Sequence, residues 1–75
     1  MHYGDIVIHI KQDLDNNAIY DLERQLGGER GVYSACFHEN QRHLMVVDYD
    51  PQHIQPSRIV HAVRSKGLHA AMIGF

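Results

Sequence analysis

Ile6, Ile8 and Ile10 alternate with Val7 and His9 along a short β-branched run. That pattern predicts a strand over residues 5–10 with its isoleucines on one face. From Asp15 the period changes, and Ile19, Leu22 and Leu26 recur at helical spacing. Asp13 or Asp15 can cap the start of this helix, and Gly27-Gly28 can stop it. Gly31 opens a second extended stretch through His38, Glu39-Asn40-Gln41-Arg42 supplies turn residues, and His43 to Tyr49 returns. Together they predict a hairpin. Asp50-Pro51 breaks the returning strand, Pro56 suits a first helical position, and Ile59, Val60 and Val63 form an apolar stripe before Gly67. Leu68 to Ile73 then predicts a last strand.

Helices that follow strands one and three lie on the same side of the sheet, because crossovers are right-handed. The expected architecture is α+β: a ferredoxin-like βαββαβ sandwich, one domain over residues 1–75, with an antiparallel sheet in the order 4-1-3-2. The hairpin register stays open. A three-residue loop puts Cys36, His38 and Leu44 on the exposed face, whereas a four-residue loop sets His38 against His43. The unbroken apolar run Leu44-Met45-Val46-Val47 carries no alternation to choose between them.

Composition adds limits. A chain of 75 residues buries only about 60% of its unfolded surface, so one compact core is the ceiling. A formal charge of −2 gives no basic footprint for nucleic acid. Cys36 is the single cysteine, which excludes an intramolecular disulfide and suggests a reducing, cytoplasmic address. Met1-His2-Tyr3-Gly4 leads directly into the first strand, so neither a signal peptide nor a membrane span is expected. Histidine is the outlier: with seven, acidification can carry the formal charge from −2 toward +5.

The series Ile19, Leu22-Glu23, Leu26, Gly31-Val32, Tyr49-Asp50-Pro51, Pro56, Ile59, Ala62-Val63 and Gly67-Leu68 resembles the heavy-metal-associated (HMA) domain over residues 5–74. The resemblance implies a Cys-x-x-Cys pair between strand one and helix one that carries Cu(I) or other soft metals to partners. Aligning helix one puts Asp15 and Ala18 at the two cysteine positions. One carboxylate and one methyl group cannot form a soft two-coordinate site. The same resemblance pairs Phe37 and Met45 in the core and so favours the three-residue loop.

Candidate chemistry therefore moves to imidazole. His9 and His69 are expected on the uncovered side of adjacent antiparallel strands, near enough to share Zn²⁺, Ni²⁺, Co²⁺ or Cu²⁺, with His38 as a third ligand. Val7, Leu44, Val46, Ala71 and Ile73 would form an apolar patch on that same side, open to a second copy or another protein partner. A face-to-face dimer would bring two sets of His9 and His69 together. His61 belongs on a solvated helix face, and His2 and His53 are terminal and loop residues without an expected role. No nucleophile set or phosphate loop has a place in the chain: Gly27 to Gly31 follows a helix, whereas phosphate loops precede one. An enzyme is not expected.

Overall fold

The structure, a computed structural model, describes residues 4–73; His2 lies outside them. Six elements follow in the order β1 (Gly4–Ile10), α1 (Asn16–Gly27), β2 (Val32–His38), β3 (Gln41–Tyr49), α2 (Pro56–Arg64) and β4 (Ala70–Ile73). The four strands form one antiparallel sheet, ordered β2-β3-β1-β4, which is the expected order read from the other edge. Helix α1 packs along β2 and α2 toward β4.

The alternation of β1 explains the core. Ile6, Ile8 and Ile10 are buried with Met45 and Val47 of β3, and Leu22, Leu26, Ile59, Val60 and Val63 of the helices close over them. Both helices are short, so tertiary burial rather than intrinsic propensity holds them. Helix α1 is capped by Asp15, one of the two aspartates its sequence offered. Helix α2 starts from Gln55 without a side-chain cap, and Pro56 at its first position supplies the helical φ instead.

Gly31 sits at φ +93°, and a Cβ there would stand 2.9 Å from Cβ of His53 and 3.0 Å from Cγ2 of Ile54. Its carbonyl accepts the Asp50 N–H at 2.7 Å, so this glycine lets the start of β2 close onto the end of β3. At the other end of edge strand β2, the Phe37 N–H is taken by the Glu23 carboxylate of α1 at 2.8 Å. That contact occupies a donor that an edge strand would otherwise present to another chain.

The hairpin corrects both expected loops. Cys36 pairs with Val46 and Phe37 with Met45, but the ladder then shifts and His38 pairs with Gln41. The turn is the two residues Glu39-Asn40, and the surplus of β3 is absorbed as an irregularity around Arg42 to Leu44. A bulge of this kind re-aims side chains. The last strand also begins later than Leu68. The Gln12 side chain takes the place of ladder bonds there, donating to the Gly67 carbonyl at 3.2 Å and accepting the His69 N–H at 2.9 Å.

Candidate metal centre and the open sheet face

The two positions where the family resemblance places cysteines are joined by a helix cap. Oδ1 of Asp15 accepts the Ala18 N–H at 2.8 Å, satisfying one of the donors that a helix start leaves free. The β1–α1 loop is thus closed by its own hydrogen bond, and the oxygen and methyl group present do not fit a soft thiolate site.

The β3 bulge reaches across to this loop. Nη2 of Arg42 donates to the Leu14 carbonyl at 3.2 Å and to Oδ1 of Asn16 at 2.7 Å. Beside it, Nδ1 of His43 lies 2.7 Å from the Ile10 carbonyl oxygen, and Nε2 lies 2.9 Å from Oδ1 of Asp13. A carbonyl oxygen only accepts, so Nδ1 carries the hydrogen and Nε2 is turned toward the carboxylate. A backbone contact of this sort is how metal-ligating histidines are oriented. With Asp13 98% exposed and His43 40%, the contact adds little to stability. The His9 ring stacks on that of His43, with centroids 5.9 Å apart.

The proposed ligands occupy different places. His9 pairs across β4 with Ala71, not with His69; His69 lies two residues further back and bonds through its carbonyl to the Lys11 N–H at 2.9 Å. His9 and His69 do line one depression, but Lys11 and Arg64 line it too. Those cations oppose a metal ion there. His38 stands at the hairpin end, its Nδ1 taking the Asn40 N–H at 3.2 Å. On β2 it is separated from β1 by β3. Among the described residues no group of three or more His, Cys, Asp or Glu side chains is disposed to hold a metal ion. Sequence reasoning placed His43 only as a possible neighbour of His38 and gave it no ligand role, because its position depends on a bulge that alternation cannot forecast. His53, a loop residue with no expected role, contacts Oδ2 of Asp50 at 2.6 Å.

The open face is organised in ranks across the strands. Cys36 pairs with Val46, Val46 with Val7, and Val7 with Ile73, a row that crosses all four strands. Leu44, His9 and Ala71 form the rank on one side. On the other side Asp48 stands directly opposite Asp5, and Ser34 donates its hydroxyl to Asp48 at 3.0 Å. Like charges directly opposite each other are unfavourable.

Solved structures show which class of fold this is. The chain superposes on a copper-binding domain from HMA7, a P-type ATPase, with a TM-score of 0.83 and 18% identity over 93% of each chain. It is similar to the apo form of a copper chaperone of Enterococcus hirae, with a TM-score of 0.79 and 22% identity over 91% of this chain and 98% of that one. Oxidized MerP from Ralstonia metallidurans CH34 gives a TM-score of 0.84 at 11% identity, over 97% of this chain and all of its own. At these identities the likeness shows the fold alone, a ferredoxin-like βαββαβ sandwich. No protein-family model and no curated protein matches the chain. Among the described residues no helix is long and apolar enough to cross a membrane.

Proposed function

We propose that the chain is a small metal-binding protein of HMA type in which imidazole and carboxylate replace the thiolates. Its cargo is a borderline divalent ion, Zn²⁺, Ni²⁺, Co²⁺ or Cu²⁺, rather than Cu(I). The fold likeness to proteins described as copper-binding supports the class. The observation that carries the site is the orientation of His43: its Nδ1 contact with Ile10 turns Nε2 onto Asp13 at 2.9 Å, with His9 stacked alongside. At ligand distances of about 2.1 Å, two donors so spaced subtend roughly a right angle at the ion. Two donors in place, with His9 needing to turn to become a third, make binding weak and exchangeable, as suits a carried ion. His69 is the other candidate partner of His9, on the side where Lys11 and Arg64 lie. The single exposed Cys36 favours a reducing compartment for this work, and the reading contains no catalytic step.

Titration with each ion under chelator competition tests it, using wild type, a His9→Ala/His43→Ala variant and a His9→Ala/His69→Ala variant. We expect the first variant to lose binding. Undiminished affinity in both removes the imidazole site. A second reading, a protein-interaction or oligomerisation module, is favoured by the apolar rank from Cys36 to Ile73, which no element of the described chain covers.

A further inference from the structure

We infer that the open sheet face is the interface of a two-fold homodimer whose axis lies in the plane of contact, along the rank Cys36, Val46, Val7 and Ile73. The inference rests on the reading of this face as a contact surface and adds the partner and its orientation. It does not rest on metal binding.

The face is dipolar along the strands. At one end Asp5 and Asp48 stand opposite each other; at the other, His9 and His69 share a depression with Lys11 and Arg64. The apolar rank lies between the two ends. Two copies meeting face to face by a two-fold operation have two simple choices of axis. An axis parallel to the strands sets acidic end on acidic end and basic on basic. An axis along the rank reverses the strand direction, so the acidic end of each copy meets the basic end of the other, and Asp5 faces His9 of the second copy. Opposite-sign juxtaposition is favoured and like-sign juxtaposition is disfavoured at an interface.

Two further features fit this axis. The Asp5–Asp48 pair is unfavourable within a monomer, and the cations and imidazoles of a second copy would offset it. The rank itself maps onto its own copy, so Val7 and Val46 of the two chains meet at the centre as in a self-complementary interface. Ile73, 42% exposed and at the end of edge strand β4, gains cover as well. The same axis sends the two His9 side chains to opposite ends of the interface. It therefore replaces the expectation that dimerisation gathers four imidazoles at one metal.

Cys36 lies in the rank on edge strand β2 and is the only cysteine, so it reports the axis. With the axis along the rank, the Cys36 residues of the two copies sit above one another across sheets about 10 Å apart, within reach of a short bis-maleimide. With the axis along the strands, β2 lies over β4 of the other copy and the thiols are far apart.

The experiment is analytical ultracentrifugation of the whole chain with and without EDTA, combined with bis-maleimide cross-linking and repeated on Val46→Lys and Ile73→Lys. Ile73→Lys sits at an exposed strand end and guards against loss of folding in the first variant; circular dichroism checks both. We expect an EDTA-resistant dimer, monomers from both variants, and Cys36-to-Cys36 cross-links in wild type alone. A monomer at every concentration, a dimer indifferent to both lysines, or a dimer dispersed by EDTA overturns the inference. Association that both lysines abolish but that yields no cross-link overturns the axis and leaves the contact surface standing.

Discussion

Val7 and Ile8 are neighbours in β1, yet they belong to two surfaces governed by different constraints. Ile8 is fully buried, paired with Met45 and part of the core cluster that includes Ile6, Ile10 and Ile59. Val7, paired with Val46 and Ile73, is half-exposed on a side no helix reaches. The covered face is apolar throughout and has no buried polar side chain among the described residues, as stability requires. The open face mixes an apolar row, an opposed pair of acids and a basic corner. Folding alone selects for none of these. The first face states how the chain holds together, and the second is where its selectivity has to be sought.

The largest effect separates those two neighbours. Ile8→Ala should cost about 2–5 kcal/mol in urea denaturation, because transfer and cavity terms add at a fully buried site. Val7→Ala should cost about 1 kcal/mol in the same assay at dilutions where only monomer is present. Equal losses at the two positions would erase the distinction between the faces. Similar in size to the Val7 loss is the Asp15→Ala change, expected to cost about 1 kcal/mol through the lost cap on Ala18 while leaving the open face untouched. Smallest, and opposite in sign, is Asp48→Asn. Relief of the Asp5 repulsion should stabilise the monomer by about 0.5 kcal/mol in thermal melts.

Much of this arrangement was legible in the chain. The Ile6-Ile8-Ile10 alternation, the Asp15 cap, Pro56 at the start of α2 and the crossover rule together imposed the sheet order and the side on which the helices lie. The site was less so, because it depends on registers rather than elements. Leu44 to Val47 is apolar on both faces, so nothing local announced a two-residue turn followed by a bulge. His43 gained its place through that bulge and through a carbonyl 33 positions away. His69 was expected opposite His9, but β4 engages from Ala70, which brings Ala71 to that place instead. A displacement of two residues preserves the face and changes the neighbour.

The bond between Asp15 and Ala18 also bears on how this loop could be made to carry a thiol pair. Installing sulfur at residue 15 deletes the oxygen that holds the first turn of α1, while a lone thiol there still grips no soft ion. Installing it at residue 18 alone keeps the turn but gains nothing. Each single step toward a thiol pair is thus neutral or harmful until the second is made, so the helix start resists a soft-metal site built one residue at a time.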